Sequence, residues 1–300
     1  MKRQRPQAFL AAVLLAWAPV PAGAAARETL TLGPGVEAQV DEPQDGVIVC
    51  RVTSPFQPGT TLVRIVAPDK LEPRGRQRVL FVLPVEPGLG TRWGDGLATV
   101  RKLDAANRFG FVVVAPTFAQ WPWCADHPTD PAVRQESHVL KAVVPLVERL
   151  YPHEPRQRAL LGFSKGGWAA WSLLLRHPDQ FAAAVAWDAP LMMPTAKFGM
   201  AVVLPTQEAF ERWRIPTLLA EHADAVRGTR RLALLGTGNF RADHGETHAL
   251  LERLGIPHDY TDGPPRKHRW DSGWAEEAVQ ALDRLLPPRE SGRGPVPSAK

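Results

Sequence analysis

Leu160-Leu161-Gly162-Phe163-Ser164-Lys165-Gly166-Gly167 sets a serine between an apolar run and the segment Trp168-Ala169-Ala170-Trp171-Ser172-Leu173-Leu174-Leu175. Ala159 to Phe163 is a short, nearly continuous apolar run, as expected of a strand buried on both faces. Lys165 to Arg176 reads as a helix, so Gly162 to Gly166 places G-x-S-x-G at a strand-to-helix turn. Such a turn holds its serine in a strained backbone conformation, and small residues at 162 and 166 let strand and helix approach closely. Ser164 Oγ is then expected at the carboxyl edge of a sheet. The Lys165 N–H, at a helix N-terminus, would point at a developing oxyanion. A phosphate-cradling loop would need G-x-x-x-x-G-K-[ST] or G-x-G-x-x-G, and neither spacing is present here.

Outward from this turn the pattern repeats. Val79 to Leu83, Phe111 to Ala115, Ala182 to Trp187 and Leu232 to Leu235 are further short apolar runs. Helical segments separate them: Leu97 to Asn107, Val133 to Leu150, Gln207 to Trp213 with Thr217 to Val226, and His244 to Leu254. Alternation of this kind predicts an α/β fold with a mostly parallel sheet and helices on both faces. Ahead of it, Val47 to Val52 and Thr61 to Ala67 are β-rich runs separated by Pro55, Pro58 and Gly59, an antiparallel pair at the N-terminal side. A last helix is expected over Ala275 to Leu286.

The ends read differently. Residues 1–26 run from basic Lys2, Arg3 and Arg5 through an apolar stretch, Ala8 to Ala18, to small residues around Ala22-Gly23-Ala24 and Ala24-Ala25-Ala26. That is the order of a cleaved secretory signal, and the apolar stretch falls short of the ~20 residues a membrane span needs. The reading is therefore a secreted or periplasmic protein with a catalytic domain over 27–286, no stable membrane span after cleavage, and a disordered Pro/Gly/Ser-rich tail over 287–300. With 44% hydrophobic and 22% charged residues the chain can bury a core and hold a concave site. Losing Lys2, Arg3 and Arg5 lowers the formal charge from +5 to +2, and the remaining arginines are scattered among acids, so no nucleic-acid partner is expected. Cys50 and Cys124 are the only cysteines. Export would permit a bridge between them, and two separate buried thiols fit the sequence as well.

A serine hydroxyl needs an imidazole to take its proton, so a histidine is required on a loop beyond the last core strand. His268 meets that need in Gly263-Pro264-Pro265-Arg266-Lys267-His268-Arg269-Trp270, after a short strand over Asp259 to Thr261. The chain resembles the α/β-hydrolase superfamily, and within it the group of putative esterases that includes esterase D-like and mycolyltransferase-like enzymes. The resemblance rests on Leu161 to Phe181, with its elbow, helix and Arg176-His177-Pro178-Asp179-Gln180-Phe181 segment, and on the loop around His268. It implies ester hydrolysis or acyl transfer. It also implies a triad acid shortly after the strand Leu232 to Leu235, where this chain has Gly236-Thr237-Gly238-Asn239, an asparagine in place of a carboxylate.

Two residues can supply the acid. Asp243 keeps the order Ser, Asp, His, but Asp243-His244-Gly245-Glu246 also reads as a helix capping box. Asp188, in Ala186-Trp187-Asp188-Ala189-Pro190, puts a charge at the sheet's carboxyl edge that no cap explains. Asp243 is preferred and Asp188 is the alternative. A second oxyanion donor is expected from the turn after Val79 to Leu83, where Val85 or Glu86 could offer a backbone N–H.

His244 and His248 lie four apart on one helix face beside Asp243, a metal-ligand spacing, yet Gly245 stands where a zinc protease helix needs its glutamate. No metal and no cofactor are expected, and both histidines read as dispensable for activity. Trp168 and Trp171 suit packing at helical spacing, whereas Trp121 and Trp123 follow a strand end where α/β proteins bind ligands. The sequence thus points to an exported serine esterase acting on a small-molecule or polymer-linked ester, with Ser164 as nucleophile and His268 as base. An acyltransferase on the same triad and a non-catalytic binding protein on this scaffold are the alternatives. The oligomeric state is not encoded in any pattern we recognise.

Overall fold

A computed structural model describes residues 28–288 apart from residue 237. The expected leader over 1–26 lies outside the described residues, as does the expected tail from 289 onward. Ten strands form a single sheet in the order β1-β2-β3-β4-β6-β5-β7-β8-β9-β10. The strands are β1 Glu28–Gly33, β2 Val36–Val40, β3 Ile48–Thr53, β4 Thr60–Val66, β5 Arg78–Leu83, β6 Phe111–Pro116, β7 Arg158–Phe163, β8 Ala183–Trp187, β9 Leu232–Leu235 and β10 His258–Thr261. β1 to β4 pair antiparallel and join the rest through β4 against β6, while β6, β5, β7, β8, β9 and β10 run parallel.

The molecule is therefore an α/β-hydrolase-type fold with N-terminal antiparallel strands. The expected pair over Val47 to Ala67 is half of that antiparallel part. β1 and β2 precede it, joined by Pro34-Gly35, with Gly35 at φ +68° where a side chain would be strained. Their buried residues alternate, Leu30 on β1 and Val36 and Ala38 on β2, the signature of strands with one face covered.

Nine α-helical segments among the described residues flank the sheet: α1 Gly96–Lys102, α2 Ala105–Phe109, α3 Gln135–His138, α4 Val144–Leu150, α5 Lys165–Arg176, α6 Gln207–Glu211, α7 Ile215–Arg227, α8 Arg241–Leu254 and α9 Ala275–Leu285. Two expected helices are broken, each for a local reason. Leu97 to Asn107 divides at Asp104, which adopts a left-handed conformation with φ +52° between α1 and α2. Val133 to Leu150 carries a π-helical turn over Val139–Val143 between α3 and α4. There the Val144 N–H reaches back to the Val139 carbonyl, and Pro145 follows with no N–H to continue the α-helical ladder. No helix of the described residues is long and apolar enough to cross a membrane.

The core has two layers because the central strands are buried on both faces. One contains Phe81, Val114, Leu160, Trp168, Trp171 and Leu218, and the other contains Leu80, Val113, Phe163, Trp187, Trp274 and Leu282. Register then places the functional edge. Leu83 of β5 pairs with Gly162 of β7, Phe163 of β7 with Trp187 of β8, and Trp187 with Leu235 of β9. Pro84, Ser164, Asp188 and Gly236 consequently leave the sheet side by side at its carboxyl edge.

Candidate active site

Ser164 stands between β7 and α5 at φ 54° and ψ −121°, outside every region a β-carbon favours. Packing holds it there. A Cβ built on Gly162 would lie 1.9 Å from the Gly166 carbonyl oxygen, and one on Gly166 would lie 2.4 Å from the Leu83 carbonyl oxygen. No side chain fits either position, which is why this turn has glycine on both sides. The Ser164 N–H donates to the Trp187 carbonyl at 3.0 Å, and the Gly167 and Trp168 N–H groups turn back onto the Ser164 carbonyl at 3.0 and 3.1 Å. Lys165, the first residue of α5, has no intrahelical acceptor for its N–H by helix geometry. That group therefore emerges at the positive end of the α5 dipole.

The structure brings Ser164, His268 and Asp188 together. Ser164 Oγ lies 3.1 Å from His268 Nε2, and His268 Nδ1 donates to Asp188 Oδ2. Since a carboxylate only accepts, the proton of the neutral ring sits on Nδ1 and leaves Nε2 free to take the serine proton. The imidazole is walled by Phe163, Trp93 and Phe240, with ring centroids 4.4, 5.4 and 5.7 Å away. Aromatic packing on three sides leaves the ring little freedom to rotate.

Asp188 is fully buried and adopts φ 42°. A buried carboxylate is costly unless its lone pairs are satisfied. Here Oδ2 accepts the Asn239 N–H at 3.0 Å as well as His268, and Oδ1 accepts the Phe240 N–H at 2.7 Å. The loop after β9 thus supplies backbone donors to a carboxylate that enters from the loop after β8.

This arrangement reverses the preference between the two candidate acids. Asp243 lies in the first turn of α8, which starts at Arg241, and its Oδ2 accepts the Met192 N–H at 2.9 Å. It is neither beside His268 nor the cap of that helix. Burial raises its pKa, opposed by the Met192 hydrogen bond.

One other expectation is also corrected. Trp123 cannot line a substrate pocket, because it is 0% exposed and packed edge-on against Trp168 at 5.4 Å. Trp121 is 37% exposed, and the Lys165 ammonium rests 4.6 Å above its ring. Burial lowers the Lys165 pKa, with the Glu86 charge opposing it. His244, read as dispensable, is fully buried, and its Nε2 accepts the Ala189 N–H at 2.9 Å, one residue beyond Asp188. Burial pushes its pKa down to about 4.

Val85 and Glu86 lie in the turn that follows β5. The Gly166 approach to the Leu83 and Pro84 carbonyls shows that this turn packs on the elbow, where a second oxyanion donor would be needed. Val85 is buried, and Glu86 has a carboxylate oxygen, Oε2, that is buried without a hydrogen-bond partner. Cys50 and Cys124 are separate buried thiols and form no bridge, and desolvation raises both pKa values, that of Cys50 to about 12. A surface cavity of about 430 Å³ is lined by Pro155, Phe181, Arg231 and Leu286, beside the starts of β7, β8 and β9 and hence at the sheet edge opposite Ser164.

Gly238, His244, Phe240 and Trp93 take part in this site and were not read as such from sequence. The Gly-Thr-Gly-Asn run was the available signal for Gly238, since two glycines bracketing a loop at a strand end mark close backbone approach.

The model of a family described as "Putative esterase" matches residues 119–254. No curated protein matches the sequence. Among solved structures, the fluorophosphonate-binding serine hydrolase F of Staphylococcus aureus superposes with a TM-score of 0.66 at 15% identity, covering 81% of this chain and 98% of its own. A ferulic acid esterase gives 0.64 at 17% identity, covering 80% and 97%. An S-formylglutathione hydrolase from Agrobacterium tumefaciens gives 0.64 at 14% identity, covering 87% and 99%.

Proposed function

We propose that this chain, a member of the α/β-hydrolase group whose residues 119–254 match the putative esterases, is a serine hydrolase that cleaves carboxylic esters through an acyl-enzyme on Ser164. The observation that carries the proposal is the hydrogen-bonded series Ser164, His268, Asp188 at the carboxyl edge of the sheet. In this reading His268 Nε2 takes the Ser164 proton as Oγ attacks the ester carbonyl carbon. The carbonyl electron pair moves onto oxygen, and the resulting oxyanion faces the Lys165 N–H and a donor from the Val85-Glu86 turn. Collapse expels the alkoxide, which receives the proton from His268. Water then repeats the sequence on the acyl-enzyme and releases the acid. Asp188 keeps the proton on Nδ1 in the resting ring and stabilises the imidazolium.

The basic, apolar, small-residue order of 1–26 supports export, so we place the mature enzyme outside the cytoplasm. A fluorophosphonate should label the wild-type chain stoichiometrically and leave Ser164→Ala unlabelled. p-Nitrophenyl esters from acetate to palmitate should be hydrolysed by the former, and the variant should lose about 10⁴ to 10⁶-fold in kcat with its melting temperature retained. Labelling that persists in Ser164→Ala would refute the assignment.

A further inference from the structure

A second cluster of chemistry-bearing side chains lies where α8 meets the edge strand β10. His248 and Glu252 are four residues apart on α8, and His258 opens β10. His248 Nδ1 is 2.7 Å from His258 Nε2, and that Nε2 is 4.0 Å from a Glu252 carboxylate oxygen. One ligand atom from each residue lies within 4.8 Å of the other two. Because His258 pairs with Leu232 at the start of β9, the cluster belongs to the opposite end of the sheet from Ser164.

The hydrogen bonds around His258 set its tautomer. His258 Nδ1 is 2.8 Å from the Ile256 carbonyl oxygen, which only accepts, so the ring proton is on Nδ1. The Nε2 lone pair therefore accepts from His248 Nδ1, and an ion between the rings would replace that proton, which the His248 ring would carry on Nε2 instead. A ring whose far N–H is held by a backbone carbonyl is oriented as metal-bound histidines are, since that bond fixes the tautomer and raises ligand basicity. His248 is fixed in turn by stacking on Tyr260, centroids 4.2 Å apart at 11°.

We propose that His248, Glu252 and His258 form a binding site for a divalent ion of the zinc type. Two imidazole nitrogens and one carboxylate suit a borderline ion and leave a fourth, solvent-facing position. Tetrahedral bonds of about 2.0–2.1 Å set ligand atoms roughly 3.3 Å apart. The two rings would separate by about half an ångström from their present hydrogen bond. Glu252, whose side chain is largely exposed, can swing inward to complete the set. The ion would clamp the C-terminal half of α8 to the terminal strand of the sheet. This differs from a site built on His244 and His248, because His244 is buried and engaged with Ala189.

The test uses the full chain, stripped with EDTA and titrated with Zn²⁺ at fixed pH by calorimetry, with Mg²⁺ as the oxygen-preferring control. One Zn²⁺ per chain is expected, with a rise in melting temperature and no heat from Mg²⁺. Glu252→Gln changes an exposed side chain and should fold normally while binding Zn²⁺ more than about tenfold less tightly. His248→Gln should abolish the rise in melting temperature. Co²⁺ substitution should give the visible absorption of a four-coordinate site in wild type and lose it in His248→Gln. Absence of Zn²⁺ uptake by the wild-type chain, or uptake by both variants as tight as that of the wild type, would overturn the proposal.

Discussion

Gly238 stands against Asp188 so closely that a Cβ built on it would lie 2.0 Å from Asp188 Oδ2, the oxygen that accepts from His268. The carboxylate and the glycine occupy complementary volumes, and the fully buried position of Asp188 leaves it nowhere else to go. Gly238→Ala should therefore displace the carboxylate and weaken its hold on His268. We expect kcat to fall about 10²-fold or more, the scale on which a misplacement of about 1 Å acts, with KM little changed. Steady-state kinetics beside a melting curve checks this: a variant with wild-type kcat would show that the carboxylate's exact position is immaterial.

Asp188→Asn and Asp243→Asn should behave in opposite ways. An amide at 188 presents its NH₂ or its oxygen to His268 without a charge and no longer enforces the Nδ1 tautomer, so kcat should drop by ~10³ to 10⁴. At 243 the amide oxygen can still accept the Met192 N–H, and kcat should stay within about twofold of wild type, since that residue touches nothing that reacts. Measuring both variants with the same ester decides the role of each; a dead, folded Asp243→Asn would return the acid to α8.

The parallel sheet was legible because its strands are buried on both faces, which writes them as nearly unbroken apolar runs such as Ala159 to Phe163 and Leu232 to Leu235. β1 and β2 alternate instead, and alternation over six and five residues on either side of a Pro-Gly turn is a weaker signal than a continuous run. The elbow could be read because steric demand restricts its residue types. The acid is less legible, and for a different reason. A carboxylate's partner depends on which loop crosses to it in space, and Asn239 contributes through its backbone N–H, a group every residue but proline has. The packing of His244 is illegible likewise, since helical spacing reports which side chains share a face and not what packs on that face.

His244→Ala should be damaging, in contrast to His248→Ala in metal-free protein. Removing the imidazole leaves the buried Ala189 N–H without an acceptor, which costs about 1–3 kcal/mol, and opens a cavity in the fully buried site. Because Ala189 adjoins Asp188, the loss should also appear in kcat. Gln at 244 offers an amide oxygen to the same N–H and should recover part of both. Urea denaturation and kinetics of the three variants test this; equal stability of His244→Ala and His248→Ala would show that the Ala189 bond contributes little.

Three buried histidines should make the fold sensitive to mild acid. His138, His153 and His244 each have a pKa pushed down to about 4, chiefly because burial disfavours the cation. Hydrogen bonding agrees for two of them: His153 Nε2 accepts from Arg158 Nε at 3.0 Å and His244 Nε2 accepts from Ala189, so protonating either ring breaks a bond. His138 is held between the Ser54 and Thr61 hydroxyls at 2.9 and 3.1 Å. In the unfolded chain these rings take up protons near their ordinary value of 6.5, while in the folded chain they resist until about 4. The unfolded state therefore binds more protons across that window, and stability falls as pH falls through it, by up to about 1.4 kcal/mol per pH unit for each ring. Above 6.5 their contribution is fully present, and below about 4 no more is lost. The lowered carboxylates Asp95 and Glu136 lose their contribution only below the ordinary carboxylate range, so they fall outside most of this window. Asp243, whose pKa is raised, acts with the opposite sign near its lower end. Urea denaturation at pH 7.5, 6.5, 5.5 and 4.5 should show stability nearly level between the first two values and falling steeply over the last two. His138→Gln, which keeps an acceptor and a donor between the two hydroxyls without a titrating ring, should flatten that slope by about a third. An unchanged slope in that variant would mean that the acid sensitivity lies elsewhere.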